Sequence, residues 1–138
     1  MFKFTLPLSA LLVLTLLAGP VLAESVSPVT VDGATTVDTN KARELFDQRA
    51  AFVDVRSNSD WDAGRIPGAI HIELKKVYNE TSLAAEVQKD EPLVIYCNGP
   101  SCPRSAQASE LAVSWGYSKV YYYREGYPAW TSAGNPVE

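Results

Sequence analysis

The sequence predicts an α/β domain in which a mainly parallel β-sheet is covered by helices on both faces. Short apolar segments, each closed by charged or turn-forming residues, alternate along the chain with segments of helical periodicity. The segments at 51–55, 93–96 and 120–123 are apolar or aromatic nearly throughout, as expected of strands buried on both sides. With 138 residues, of which 46% are hydrophobic, the chain has the size and composition of one such domain.

The first 23 residues have the pattern of a secretory signal peptide. Lys3 provides a positive start, residues 6–18 are almost wholly apolar, and small residues at 21–23 precede a cleavage point before Glu24. The apolar stretch is short for a membrane span, which needs roughly 20 residues. We therefore expect cleavage rather than a retained anchor, and a mature protein that is periplasmic or secreted and has no stable membrane span.

The mature chain opens with a polar segment that leads to the first predicted helix. Residues 24–36 are small and polar and are predicted as a leader or linker with room for one short strand, so that the domain covers 37–138. Asp38 or Thr39 is the expected cap of a helix over 40–49. The buried stripe of this helix consists of three residues at helical spacing, Ala42, Leu45 and Phe46.

The next predicted elements are two strands joined through a turn. Residues 51–55 are predicted to form a buried strand that brings Asp54 and Arg56 to its C-terminal end, where the two side chains are expected to pair. The segment I-P-G-A at 66–69 predicts a turn, and a second strand is predicted over 69–72.

The second half of the chain contains the strand that leads to the candidate site. A short helix predicted over 81–89 precedes the strand at 93–96, which runs directly into Cys97. Ligands of parallel sheets bind at the carboxyl ends of the strands, so Cys97 stands at a position suited to function. After it we predict a helix over 104–115, a strand over 120–123 and a short helix over 127–133. The buried face of the helix at 104–115 is predicted to consist of Ala108, Leu111, Ala112 and Trp115.

Cys97 is the leading candidate for a catalytic residue because of the sequence around it. Residues 96–105 read Y-C-N-G-P-S-C-P-R-S, in which a buried strand, a cysteine, a tight Gly/Pro loop and a helix beginning at Arg104 follow one another. The helix N-terminus, the loop N–H groups and the guanidinium of Arg104 all favour the thiolate, which is the nucleophilic form of cysteine. A buried core cysteine is the alternative, but such a residue requires none of these neighbours.

The loop also predicts which groups contact a bound anion. Pro100 and Pro103 have no N–H to donate, which leaves the N–H groups of residues 98, 99, 101, 102, 104 and 105. Gly99 is expected to adopt an unusual backbone angle. From these positions we predict a substrate-binding set of Asn98, Gly99, Ser101 and Ser105.

Three further motifs resemble those of the rhodanese family, and the resemblance that they carry covers about residues 37–138. F-V-D-V-R at 52–56 resembles the family's first strand with its Asp-x-Arg ending, and G-R-I-P-G-A-I-H at 64–71 resembles its Gly-His-Ile-Pro-Gly-Ala turn. Y-R-E-G-Y-P-A-W at 123–130 resembles its C-terminal Gly-Gly-x-x-x-Trp signature. The resemblance implies a rhodanese-like fold with a central five-stranded, mainly parallel sheet and helices on both faces.

The resemblance also implies a sulfurtransferase mechanism. Cys97 matches the family's catalytic cysteine, and Arg104 matches the arginine that closes the active loop. A sulfane sulfur passes from a thiosulfate-like donor to Cys97 as a persulfide and then to cyanide or a thiol, which is covalent catalysis in two steps. We expect no cofactor and no metal, because two cysteines in one loop and a single histidine do not make a zinc site.

The active loop departs from the family pattern in its length and in its second cysteine. Six residues, 98–103, separate Cys97 from Arg104, whereas ordinary rhodaneses have four and related cell-cycle phosphatases have five. Cys102 lies inside this longer loop, and its surroundings resemble a subgroup of exported bacterial rhodaneses. A disulfide that closes so short a loop would stabilise the fold little, so we count Cys102 with Cys97 and Arg104 as catalytic.

The chemistry of Cys102 leaves several functions open. Cys102 can attack a persulfide on Cys97, which releases sulfide and leaves a disulfide, or it can act as a resolving thiol in plain redox chemistry. The protein is accordingly a sulfurtransferase, or an exported thiol–disulfide or sulfane-carrier protein. The longer loop also admits a cysteine phosphatase or an arsenate reductase.

The charge and composition of the chain limit the classes of molecule that it is expected to bind. The net charge of −4 and the lack of a basic stripe exclude a nucleic-acid surface. We expect a small sulfur-containing anion as donor, a thiol or cyanide as acceptor, a protein redox or sulfur-carrier partner, and a monomer. The only histidine, His71, follows core residues of a strand and is predicted to be structural rather than catalytic.

Overall fold

The structure is a computed structural model that describes residues 26–138 and Gly19, so the predicted signal peptide, apart from Gly19, and its cleavage point lie outside the described residues. Within that part of the chain, strands and helices alternate as the sequence predicts. The short helix α2 is an addition that the hydrophobic pattern does not show. The elements are β1 (Ala34–Thr36), α1 (Thr39–Asp47), β2 (Ala51–Asp54), α2 (Asn58–Ala63), β3 (Ile70–His71), α3 (Glu80–Ala84), β4 (Leu93–Tyr96), α4 (Arg104–Ser114), β5 (Val120–Tyr123) and α5 (Gly126–Ser132).

The strands form one parallel sheet in the order β1-β5-β4-β2-β3. Asp54 at the end of β2 is in register with Tyr96 at the end of β4, and Tyr96 is in register with Tyr123 at the end of β5. Because the strands are parallel, these ends lie at one edge of the sheet, and Cys97 leaves the sheet there. The predicted five-stranded parallel sheet is therefore confirmed.

Alternate residues of the central strands belong to two hydrophobic clusters. Val53, Ile95 and Cys97 belong to a cluster that includes residues of α3 and α4. Phe52 and Val94 belong to a second cluster that includes residues of α1 and α5. A period of two is the geometry of a strand whose two faces are both buried, so the side chain of Cys97 lies on the α3 and α4 side of the sheet.

Helical periodicity predicts two of the three buried residues of α1 and two of the four of α4 correctly. Phe46 and Trp115 are half-buried, whereas Ala108 and Ala112 are buried as predicted. In α1, Asp38 is the N-cap and accepts a hydrogen bond from the N–H of Lys41 at 2.8 Å, while Ala42 and Leu45 are buried. In α4, Leu111 is 40% exposed, contrary to the prediction. Two of the buried residues of α4 are serines, Ser105 and Ser109. Because serine is polar, hydrophobic periodicity does not assign these positions to the buried face and includes Leu111 instead. The buried residues of α4 are Ser105, Ala106, Ala108, Ser109 and Ala112.

The folded domain begins earlier than the predicted boundary at residue 37. β1 pairs in parallel with β5, where Ala34 lies opposite Val120. Val31 is buried in a small cluster with Ala106 and Tyr122. The described portion of the predicted leader is therefore part of the domain. None of the helices described here has the length and hydropathy that crossing a bilayer needs.

Candidate active site

The candidate site is the loop at residues 97–103, which connects β4 to α4 and which we call the active loop. Cys97 leaves the sheet at the end of the central strand β4, and only 1% of its surface is exposed. Its carbonyl oxygen accepts a hydrogen bond from the N–H of Tyr127 at 2.9 Å, which ties the start of the loop to α5. The loop is thus anchored at the carboxyl edge of the sheet, as the sequence predicts.

Cys97 and Cys102 are joined by a disulfide, with their Cα atoms 6.4 Å apart. A turn makes the bond possible, because the N–H of Cys102 donates to the carbonyl oxygen of Gly99 at 3.0 Å and brings Cys102 back over the strand end. Gly99 has a φ of +113°, which bears out the expectation of an unusual backbone angle there. A disulfide-bonded cysteine has no thiolate, so the predicted nucleophilic role of Cys97 requires that this bond first be reduced.

Several N–H groups of the active loop remain available for an anion. Of the groups predicted to serve this purpose, that of Cys102 is used by the turn. Among the described residues, the N–H groups of Asn98, Gly99 and Ser101 meet no acceptor. Unpaired N–H groups carry positive partial charge, which favours a thiolate or a bound anion close to them.

The side chain of Asn98 is bound to the scaffold. Its Nδ2 donates to Oδ2 of Asp60 at 2.8 Å, and its Oδ1 accepts from Nη1 of Arg56 at 3.4 Å. The hydrogen bond from Asn98 lowers the pKa of Asp60 below its ordinary value, so Asp60 is a firm acceptor at neutral pH. Asn98 therefore positions the loop through its side chain, and only its N–H faces no partner in the described structure.

Arg104 is paired with a carboxylate, a contact that the sequence does not reveal. Its Nη1 donates to Oε1 of Glu73 at 2.7 Å. Burial acts to raise the pKa of Glu73, but hydrogen bonds from the backbone N–H groups of Lys75 and Lys76 and from Arg104 outweigh it, so the pKa lies below its ordinary value. The guanidinium is thus partly neutralised, and its contribution to the thiolate is smaller than an unpaired arginine would make.

A small cavity with an excess of positive charge adjoins Arg104. Its volume is about 260 Å³, and two lysines and Arg104 outnumber the single carboxylate in its walls. Such a charge balance suits a small anion, although the protein as a whole is negative. The cavity is lined by Ser57, Asn58, Glu73, Lys75, Lys76 and Arg104.

The two serines of the predicted substrate-binding set differ in their surroundings. Ser101 is exposed at the tip of the active loop. Ser105 is 1% exposed, and its Oγ has no hydrogen-bond partner among the described residues. The Oγ of Ser109, one turn further along α4, is also buried without a partner among the described residues, so this property is shared by Ser105 and Ser109.

The segment at residues 26–33, which we call the strap, crosses the active loop. The N–H and the Oγ of Ser27 both donate to the carbonyl oxygen of Pro100 at 2.7 Å, and Ser27 is 4% exposed. Arg124 holds the strap in turn, because its Nη2 donates to the carbonyl oxygen of Ser27 at 2.9 Å. The hydroxyl of Tyr122 donates to the carbonyl oxygen of Pro28 at the same distance. The longer loop is therefore braced by a segment that the sequence predicts only as a leader.

Removing the Ser27 hydroxyl is expected to loosen the active loop without unfolding the domain. Ser27→Ala loses one hydrogen bond, which stabilises by about 1 kcal/mol, and the Cys97–Cys102 disulfide should then be reduced about fivefold faster by dithiothreitol. Thr36→Val is the matched control, because the Thr36 hydroxyl donates to the strap at Val29 and does not contact the loop. Equal reduction rates in the wild type, Ser27→Ala and Thr36→Val would contradict this role of the strap.

Gly126 allows the active loop and α5 to approach each other closely. Its φ is +66°, and a Cβ at this position would overlap the carbonyl oxygen of Cys97 and would lie 2.8 Å from the nitrogen of Gly99. No side chain can be accommodated there unless the backbone of the loop moves. The glycine of the C-terminal motif is thus part of the candidate site.

Gly126→Ala is expected to destabilise the protein more than Gly134→Ala. Gly134 also has a positive φ, of +75°, but a Cβ there would meet no atom within 4 Å. Both variants should lose about 1–2 kcal/mol for the left-handed backbone, and Gly126→Ala should lose about 1–3 kcal/mol more through the overlap with the loop. Urea unfolding measures the difference, and equal losses in the two variants would be inconsistent with a steric role for Gly126.

His71 and the Asp54–Arg56 pair are structural. The Nε2 of His71 lies 3.0 Å from the carbonyl oxygen of Arg56, and its ring stacks on Trp61 with centroids 4.7 Å apart. The guanidinium of Arg56 forms a 2.7 Å ion pair with Asp54, which confirms that these two side chains brace the end of β2. Through Asn98 the same guanidinium also reaches the active loop.

Comparison with known proteins identifies relatives of this fold and sequence. The family model described as "Rhodanese-like domain" matches residues 38–133. The chain is 34% identical to the human thiosulfate:glutathione sulfurtransferase over 71% of this chain and 94% of the relative. It is 32% identical to an HTH-type transcriptional regulator of Mycobacterium tuberculosis over 78% of this chain, but it spans only 45% of that regulator. The structure of the human single-domain sulfurtransferase TSTD1 superimposes with a TM-score of 0.60 at 30% identity, covering 72% of this chain and 96% of that one.

Proposed function

The chain belongs to the rhodanese-like family, and from that premise we propose that it is a sulfurtransferase that carries sulfane sulfur on Cys97. The observation that carries the proposal is the placement of this cysteine at the end of a central strand, in a loop where the N–H groups of Asn98, Gly99 and Ser101 lack acceptors among the described residues. That arrangement favours a thiolate and stabilises the terminal sulfur of a persulfide. The names of the relatives supply the reaction class.

The proposed reaction has two steps. The Cys97 thiolate attacks the outer sulfur of a donor such as thiosulfate, a new S–S bond forms, and sulfite leaves with the electron pair of the bond that breaks. An acceptor, cyanide or a thiol, then attacks the outer sulfur of the persulfide and restores the Cys97 thiolate. Each step exchanges one bond to sulfur for another, so no cofactor is needed for the electron balance.

The residues around Cys97 have separate parts in this proposal. The N–H groups of Asn98, Gly99 and Ser101 hold the thiolate and the persulfide, and the hydroxyl of Ser105 is available to the same group. Arg104 lines the cationic cavity together with Lys75 and Lys76, and in this proposal their positive charge attracts the anionic donor. We also propose export, on the strength of the signal-peptide pattern, because an oxidising compartment favours the disulfide that this loop contains.

A second function is favoured by one observation, the Cys97–Cys102 disulfide. Two cysteines that can alternate between dithiol and disulfide suffice for a thiol–disulfide exchange protein that never transfers sulfur. This candidate uses the same residues but needs no persulfide, so the two functions differ in the covalent state of Cys97.

Mass spectrometry of the intact protein distinguishes the two functions. The mature protein is reduced, freed of reductant, treated briefly with thiosulfate and then measured before and after addition of cyanide. A sulfurtransferase releases sulfite, and its Cys102→Ser variant, which lacks the second thiol, gains the mass of one sulfur and yields thiocyanate when cyanide is added. A thiol–disulfide exchange protein loses two hydrogens at most and produces neither compound. Cys97→Ser is the control in which neither compound should form.

A further inference from the structure

We propose that Cys102 converts the Cys97 persulfide into free sulfide and that a dithiol reductant regenerates the enzyme by attack at Cys102. This inference rests on the proposed function, because it begins from the persulfide. It assigns a further activity to the same site, the reductive release of sulfide, and a class of partner, a dithiol of small or protein size.

The geometry of the active loop supports the attack. The turn between Gly99 and Cys102, closed by a 3.0 Å hydrogen bond, places the Sγ of Cys102 in bonding contact with that of Cys97. The strap fixes the middle of this turn through two hydrogen bonds from Ser27 to Pro100. The atom that the Cys102 thiolate must reach in a persulfide is the same Sγ of Cys97. The structure therefore shows the loop as it would be after Cys102 has attacked the persulfide, with the Cys97–Cys102 disulfide formed.

Proximity favours the internal thiol over an external acceptor. In the disulfide form the Sγ atoms of Cys97 and Cys102 are bonded, so Cys102 is the thiol nearest to any sulfur carried on Cys97. Cys102 is already in contact, and a reacting group held in place corresponds to an effective concentration far above that of any dissolved thiol. The internal reaction should therefore occur before the external one.

The resolving step balances without an external oxidant. The sulfur of the Cys102 thiolate attacks the inner sulfur of the persulfide, the Cys97–Cys102 bond forms, and the outer sulfur leaves as hydrosulfide with the electron pair of the bond that breaks. The thiol proton of Cys102 ends on the sulfide. The two cysteine sulfurs are oxidised to a disulfide while the sulfane sulfur is reduced to sulfide.

Reduction of the Cys97–Cys102 disulfide requires two electrons, and the exposure of the two cysteines indicates which sulfur the reductant attacks. Cys102 is half-buried and lies between the exposed residues Ser101 and Pro103, whereas Cys97 is enclosed. Thiol–disulfide exchange occurs at the sulfur that the incoming thiolate can reach. A dithiol therefore attacks Cys102, and Cys97 leaves as the thiolate that the loop N–H groups stabilise. The second thiol of the partner then releases Cys102 and the partner departs as a disulfide.

A single-turnover experiment tests the inference. Wild type and Cys102→Ser are reduced with dithiothreitol, desalted under anaerobic conditions and given one equivalent of thiosulfate without any acceptor. The wild type should release one sulfite and one sulfide per chain and should end with two hydrogens fewer than the reduced protein. Cys102→Ser should release sulfite alone and should retain one additional sulfur on Cys97.

The other outcomes would overturn the inference, and each shows whether the proposed sulfurtransferase function fails with it. A wild-type protein that retains the additional sulfur and releases no sulfide would show that Cys102 does not resolve the persulfide, while the proposed sulfurtransferase would stand. Sulfide release by Cys102→Ser to the wild-type extent would show that the second cysteine is dispensable. No sulfite from either protein would overturn the proposed function, and with it this inference. The additional sulfur on Cys102→Ser also shows that this variant is folded.

Discussion

Cys97→Ser is expected to abolish persulfide formation and to reduce sulfur transfer from thiosulfate to cyanide by at least about a thousandfold. A serine hydroxyl at the end of β4 keeps the size of the side chain but is not ionised at neutral pH and does not form a stable bond to sulfane sulfur. The N–H groups of the active loop and the cationic cavity remain, so donor binding should change less than turnover. The expected signature is therefore a loss in kcat, with KM for thiosulfate near that of the wild type.

Cys102→Ser is the matched control for this experiment. Both variants lose the Cys97–Cys102 disulfide, so any loss of stability that comes from the disulfide is common to them. Only Cys97→Ser removes the proposed nucleophile, and with cyanide as acceptor Cys102→Ser should retain transfer. If Cys97→Ser were to transfer sulfur at a rate close to that of Cys102→Ser, Cys97 would not be the sulfur carrier. The measurement is thiocyanate formation with pre-reduced protein.

The sequence predicts the sheet well because local patterns determine it. The strands at 51–54, 93–96 and 120–123 are short, apolar and bounded by charged or turn residues, and each occurs within a residue of its expected position. Their burial on both faces follows from the same pattern. The position of Cys97 at the carboxyl edge of the sheet can be predicted from two facts alone, that β4 ends just before it and that the strands are parallel.

The surroundings of the active loop are less predictable because they depend on contacts between distant residues. Glu73 pairs with Arg104 across 31 positions, Asp60 binds Asn98 across 38, and Ser27 holds Pro100 across 73. No periodicity or short motif links such partners. Of the three, only Asp60 had a local signal, since it lies in the first turn of a helix capped by Ser57 and just after the Asp-x-Arg motif.

Breaking the buried ion pair at the end of β2 is expected to have the largest effect on stability. Asp54 is fully buried and the side chain of Arg56 is 2% exposed. Burial by itself would lower the pKa of Arg56, but the hydrogen bonds and the charge of Asp54 outweigh it and raise the pKa, so the guanidinium stays charged. Arg56 also donates to the carbonyl oxygen of Gly64 at 2.7 Å and lies over the ring of Tyr127 at 4.4 Å.

Arg56→Met should therefore reduce the free energy of unfolding by about 3–5 kcal/mol, because it leaves the Asp54 carboxylate buried without a counter-ion. Asp54 retains the hydrogen bond from the N–H of Arg56 at 2.9 Å, which any residue at position 56 other than proline can supply, and a contact with the hydroxyl of Tyr96. These neutral donors do not replace the charge of the guanidinium. Urea unfolding at pH 7 measures the loss.

The double variant Asp54→Asn with Arg56→Met separates charge from packing. An asparagine at position 54 still accepts the backbone hydrogen bond but carries no charge, so the double variant should be more stable than Arg56→Met alone by about 1–3 kcal/mol. If the two variants had equal stability at pH 7, the destabilisation would come from lost packing of Arg56 on Tyr127 rather than from the uncompensated charge of Asp54.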